Sequence, residues 1–148
     1  MEQGKVENAS AIFTNILSLN PNDNQGVRSL AINCNFMLKR PWEVLGISQQ
    51  YLEDIMPEVI YGRVLALYQL GLKSEAETEL SKAVDYLPLV AKELIKKRHS
   101  RPKELYSDCV TVGGPDEAYC YWIEQGQYWK NTPGAIDFVR DYIQNNVK

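Results

Sequence analysis

The sequence predicts an all-α protein assembled from antiparallel helical hairpins. Three observations carry the prediction. First, QGKVENASAIFTNILSLNP (Gln3 to Pro21) aligns without gaps on LGLKSEAETELSKAVDYLP (Leu70 to Pro88), 67 positions further on. Gly4 meets Gly71, Ala9 meets Ala76, Phe13 meets Leu80, Ile16 meets Ala83 and Pro21 meets Pro88. Second, the matched positions follow the stripe of a helix with one buried face: a small Ala first, then larger apolar groups four and seven residues on. Third, Gly at the front permits the left-handed backbone that ends one helix and turns into the next, and Pro at the back, with no N–H to donate, closes the second. An offset of 67 spans two units, so one further hairpin lies between the matched segments.

Composition sets the outer bounds. A chain of 148 residues is about one domain, with 45% hydrophobic and 24% charged residues, the range of ordinary globular proteins. Its net charge of -3 argues against a nucleic-acid surface, which needs a basic patch. The densest basic run, KELIKKRHSRPK (Lys92 to Lys103), reads as a solvated helix end whose cations suit the carboxyl-terminal dipole. Cys34, Cys109 and Cys120 are widely spaced and His99 is the only histidine, so neither a metal site nor any other cofactor is expected. The odd cysteine count fits a reducing compartment. MEQGKVENAS has no apolar core, and no stretch is long enough to cross a bilayer, so a cytoplasmic location and no membrane partner are expected.

Taken in order, the elements are these. The segment Gln3 to Pro21 holds the first helix, after a turn at Gly4 and with Leu19 as its last core residue. LNPNDNQG (19–26) is a junction: Pro21 blocks continuation, and Asp23 or Asn24 caps the next helix. A calcium loop would want several carboxylates where this stretch has only Asp23. Residues 24–56 hold the middle hairpin, where Pro41 and Trp42 of LKRPWEV stand in place of a Gly turn. PEVIYGRVLALYQ and LGLKSEAETELSKAVDYLP form the third. A helix follows over Leu89 to Arg98, then a loop over 99–114 containing Pro102, Gly113 and Gly114. Pro115, Asp116 and Glu117 suit the start of PDEAYCYWIEQGQYWK, and Thr132 and Pro133 suit the start of the last helix. The organisation expected is helical hairpins over 1–98, the loop, and a terminal hairpin over 115–148 packing on the same stack.

The pattern Gly-x4-Ala-x3-aromatic or Leu-x2-small-x4-Pro resembles the second helix of the tetratricopeptide repeat, with its unit of about 34 residues. LNPNDNQG together with the late W-x3-PGA also resembles a group of uncharacterised bacterial proteins of this repeat type. The likeness covers residues 3 to about 90. It departs from the pattern in the middle unit and at Arg63 and Val64, where an apolar residue followed by Gly is usual. What it implies is a right-handed superhelical stack, an α-solenoid, whose first helices line a concave groove for a protein or peptide segment. Carried across, the groove positions are Gln25, Arg28 and Asn35 in the middle unit and Glu58, Tyr61, Leu65, Tyr68 and Gln69 in the next. Some family members clamp the carboxyl terminus of chaperones; Ile32 and Leu65 replace the polar groups such a clamp requires. Gly4 would occupy a turn position, so the first element is a second helix lacking its partner. Either the chain is a fragment of a longer protein, or this helix packs elsewhere or on another molecule, as in a homodimer through the amino-terminal helix.

Catalytic signals are sparse. His99 stands among Lys97, Arg98 and Arg101 and is expected to be exposed, TVGGPDE lacks the Lys and preceding strand of a phosphate loop, and Asp116 and Glu117 read as helix-start charges. A non-enzymatic interaction module is therefore expected. The alternatives are a regulatory or targeting domain of a larger enzyme, a homodimerising structural domain, or a small enzyme using His99 and Cys109. In the aromatic helix, Trp122 and Trp129 are expected to face the core, and Tyr121 and Tyr128 form an adjacent stripe that would be a second interaction surface if exposed.

Overall fold

The computed structural model describes residues 3–22, 26–103 and 111–146, and among these it is entirely helical. The chain divides into two compact units, Met1–Leu72 and Lys73–Lys148. The division falls between two helices inside the stretch expected as one row of hairpins. No helix among the described residues is long and apolar enough to cross a membrane.

The first unit holds α1 (Gln3–Leu19), α2 (Val27–Met37), α3 (Pro41–Gln49) and α4 (Pro57–Gln69). α1 packs on α2, and α2 packs on both α3 and α4. The matched glycines differ in role: Gly71 adopts a left-handed φ of 79°, but Gly4 lies inside α1 without one. Around Gly71 the Leu72 N–H donates to Leu67 O at 2.9 Å and the Gly71 N–H to Tyr68 O at 3.0 Å, the two bonds of a Schellman motif. The degenerate turn of the middle hairpin repeats that geometry. Arg40 N–H donates to Asn35 O at 2.8 Å and Lys39 N–H to Phe36 O at 3.1 Å. Lys39, at φ 59°, takes the left-handed position, and Pro41 opens α3 at its first turn. Neither Pro41 nor Trp42 makes the turn.

α4 is buried along nearly its whole length. Gly62 permits this: a Cβ there would lie 3.4 Å from Ile32, 3.7 Å from Phe36 and 3.9 Å from Val44, so side chains of α2 and α3 converge on the α4 backbone. The small residue of a first helix is therefore Gly62, one position ahead of Arg63. Arg63 is itself buried and donates to Ser48 O at 2.6 Å and Tyr51 O at 3.4 Å, closing the carbonyl end of α3.

The second unit holds α5 (Lys73–Tyr86), α6 (Pro88–Leu94), α7 (Pro115–Lys130) and α8 (Ala135–Asn146). α6 packs on α5, α7 and α8. α6 ends at Leu94, four residues earlier than expected. α8 starts at Ala135: Gly134 is left-handed at φ 80°, and the Thr132 hydroxyl donates back to Tyr128 O at 2.7 Å, closing α7.

Candidate interaction surface

The α1–α2 hairpin has two unlike sides. Ser10 Oγ donates to Asn35 Oδ1 at 3.4 Å, Asn35 Nδ2 donates to Ala31 O at 2.8 Å, and Arg40 pairs with Glu7 at 3.5 Å. These contacts set an antiparallel register and mark the polar side, a groove of about 470 Å³ lined by Ser10, Thr14, Ser18, Asn35 and Arg40. The same register places Ala9 level with Met37, Phe13 with Cys34 and Ile16 with Leu30 on the opposite side. There the large apolar groups stand in solvent: Ile12 is 57% exposed, Leu19 78%, Leu30 49% and Met37 40%, with Ala9, Phe13 and Ile16 half-buried between them. Leu19, expected as the last core residue of α1, is the most exposed of these. Asp23 and Asn24, the expected caps, lie outside the described residues; Gly26 precedes α2 with φ 69° and no side-chain cap.

The expected groove positions do not form one open face. Asn35, Tyr61 and Leu65 are buried to 2% exposure or less, which corrects their assignment as residues open to a partner. Glu58 and Tyr68 are half-buried, Gln69 is exposed, and Gln25 lies outside the described residues. Arg28 is half-buried: its Nε donates to Asp54, and its guanidinium lies 5.3 Å from the centre of the Tyr51 ring. Asp54 also accepts the Met56 N–H at 2.7 Å, holding the entry to α4. Around this pair is an open depression of about 770 Å³ lined by Arg28, Gln49, Tyr51, Leu52 and Ile55. Polar residues expected outside serve instead as internal ties, while Leu30 and Met37, which the groove assignment passed over, face out. Apolar side chains are assigned inward by any pattern argument, so only the exposure itself reveals them.

In the second unit Tyr121 and Tyr128 are both buried, which removes them as an exposed second surface. Trp129 Nε1 donates to the Tyr121 hydroxyl at 2.9 Å, so the inward face of α7 is Tyr121, Gln125, Tyr128 and Trp129. Trp122 is the outlier. Its ring stacks on His99 with centroids 3.7 Å apart and an interplanar angle of 11°, and Lys130 Nζ lies 5.4 Å from its centre. His99 Nδ1 is 2.5 Å from Glu93 Oε2, and Lys96 reaches Glu93 Oε1 at 3.3 Å. His99 is thus held in place with its side chain 13% exposed, contrary to the expected solvated histidine. A carboxylate that orients an imidazole is half of a catalytic arrangement, and the other half is a nucleophile within reach. Cys109, the sequence candidate, lies outside the described residues. Cys34 is buried, and desolvation raises its thiol pKa, which suppresses the reactive thiolate.

The loop before α7 binds its own carboxylates. Asp116 accepts the Thr111 N–H at 2.8 Å and the Glu117 N–H at 2.9 Å; Glu117 accepts the Gly113 N–H at 3.1 Å. The Thr111 backbone bond leads in lowering the Asp116 pKa, with desolvation partly opposing it. Burial raises that of Glu117, helped by the neighbouring Asp116 charge and opposed by the Gly113 bond. The Thr111, Gly113 and Glu117 amides, which could otherwise cradle a phosphate, are used by these carboxylates. Among the described residues no group of three or more His, Cys, Asp or Glu is placed to hold a metal ion. Compared with known proteins, the chain matches no family model, no curated protein and no solved structure.

Proposed function

We propose that this chain is a non-catalytic interaction module whose hairpins stack as a right-handed α-solenoid of the tetratricopeptide kind, and that it binds a protein or peptide segment as an amphipathic helix. The binding face is the apolar side of α1 and α2. The observation that carries this is the exposure of Ile12, Leu19, Leu30 and Met37 on one side of a single hairpin, beside half-buried Phe13 and Ile16. Contiguous exposed apolar groups of this kind mark interaction surfaces, and an amphipathic helix answers them with anchors at three- and four-residue spacing. Covering what remains exposed contributes about 1 kcal/mol per side chain, about half of a full burial. Set against the cost of association, that supports binding of modest strength.

The test is selection from a displayed library of 20-residue helical peptides, run in parallel on the wild type and on an Ile12→Lys, Leu30→Glu variant. Enrichment of sequences with a shared apolar spacing that bind only the wild type supports the reading. Failure to enrich any sequence, or equal binding to both proteins, removes it.

A further inference from the structure

We infer that the occupant of this face is the same face of a second copy, the two α1 helices crossing antiparallel about Ile12. The inference rests on the reading of the α1–α2 side as a protein-binding surface and names its partner.

The argument begins with spacing. Lys5, Ala9, Ile12, Ile16 and Leu19 succeed one another at intervals of four, three, four and three residues. That is the alternation of the a and d positions of a heptad, the seam along which two helices pack. The buried stripe of α1, formed by Val6, Ser10 and Leu17, is a separate one, turned roughly 100° away at about 100° per residue. One helix therefore carries two apolar seams. The first is satisfied by α2; the second has Ile12 and Leu19 in solvent.

Charge selects the partner. The positions flanking the seam, Asn8 and Asn15 on one side and Phe13 and Asn20 on the other, are all uncharged. In helix pairs such flanking positions choose a foreign partner through opposite charges or reject a like copy through equal ones. Here they do neither, so a second copy meets no repulsion. Among the described residues the only charged seam residue is Lys5, in the first turn of α1, where a cation is unfavourable to the helix dipole. α1 has no basic residue in its last turn. An antiparallel crossing about Ile12 brings Lys5 of one copy beside the Leu19 end of the other, where a cation suits the helix dipole, and reverses that penalty. It also sets small Ala9 against large Ile16. Every such contact occurs twice, as a two-fold interface requires.

Size predicts a weak dimer. α1 is about 25 Å long. With Leu30 and Met37 flanking the seam, the contact buries about 1,000 Å² over both partners, the lower bound of specific interfaces.

Sedimentation equilibrium of the full chain from about 1 to 200 µM tests this, with a midpoint expected in the micromolar range. The expected result is a mass rising from 16.9 kDa toward twice that value. Ile12→Lys sets two like charges together at the crossing point and is expected to move the midpoint upward by at least about tenfold, with unchanged helicity because Ile12 is largely exposed. Under mild oxidant, Ile12→Cys is expected to cross-link into dimers and Leu19→Cys is not, relative to the wild-type chain. A mass of 16.9 kDa at every concentration overturns the inference, as does a dimer indifferent to Ile12→Lys or one that cross-links through Leu19→Cys and not Ile12→Cys. A monomeric chain that still selects helices from the library leaves the interaction reading standing and sinks only the self-pairing. A chain that does neither sinks both.

Discussion

Replacing Gly62 tests the close approach of α4 to α2 and α3. Gly62→Ala adds one methyl group where the nearest atoms would be Ile32 Cγ2 at 3.4 Å, Phe36 Cε2 at 3.7 Å and Val44 Cγ1 at 3.9 Å. The last two are ordinary carbon contacts and the first is slightly short, so the methyl fits with little movement. Against that small strain stands the removal of a glycine from a helix interior, which favours folding by about 1 kcal/mol, with a further gain from the buried methyl. The net expectation is a stabilisation of about 1 kcal/mol. Gly62→Val should have the opposite sign. Its two γ carbons reach about 1.5 Å beyond Cβ, into space held by Ile32 and Phe36, and overpacking of this kind costs roughly 1 to 3 kcal/mol. Urea unfolding followed by circular dichroism reads both, with the slope checked because two compact units need not unfold together. Loss of stability in Gly62→Ala would mean that the helices approach more closely than described. A neutral or stabilised Gly62→Val would mean that no close approach exists, and the reasoning about α4 would fall with it.

The remaining expectations concern single turns and one carboxylate. At Gly126 an added Cβ would lie 2.7 Å and 2.8 Å from two atoms of the Trp122 ring, so Gly126→Ala should push the indole off His99. A net loss of about 1 kcal/mol, despite the better helix propensity, is expected together with a shift in tryptophan emission; an unchanged spectrum would contradict it. Lys39→Gly should stabilise by roughly 0.5 to 1 kcal/mol, since glycine carries no penalty for the left-handed backbone that Lys39 adopts, and equal urea midpoints would refute this. Asp116 has a folded pKa below its usual 3.8, so its ionised form stabilises the fold above that value and the contribution is lost as the pH falls through the folded pKa. Asp116→Asn should therefore be less stable than the wild type at pH 7, with the difference shrinking below about pH 4. A difference independent of pH would show that the carboxylate charge is not what anchors the loop.

Much of the helical layout was legible because helix boundaries are local. Pro41, Pro57, Pro88 and Pro115 each open a helix, and Gly71 ends one, all by constraints that a residue imposes on its own backbone. The middle turn was harder to place because its left-handed residue is Lys39, which no composition argument nominates. The phase of each helix was less legible still. Arg28 and Asn35 lie seven apart and look like an outward polar stripe, while Leu30 and Met37 look like an inward apolar one. What inverts this reading is a set of partners distant in sequence: Asp54 for Arg28, Ser10 for Asn35. A polar side chain goes inside when a partner waits there, and the apolar one on the next stripe is then carried outward. His99 is the same case, moved from an expected solvated run to a half-buried position held by Glu93 and Trp122. The exposed seam of α1 follows from similar geometry. Its heptad spacing was present in the string, but a helix of 17 residues with two apolar stripes reads as one broad buried face until its partner is known to cover only one of them. The uncovered stripe is then a property of the hairpin, and Ile12, at its midpoint, is where a single added charge has most effect on whatever packs there.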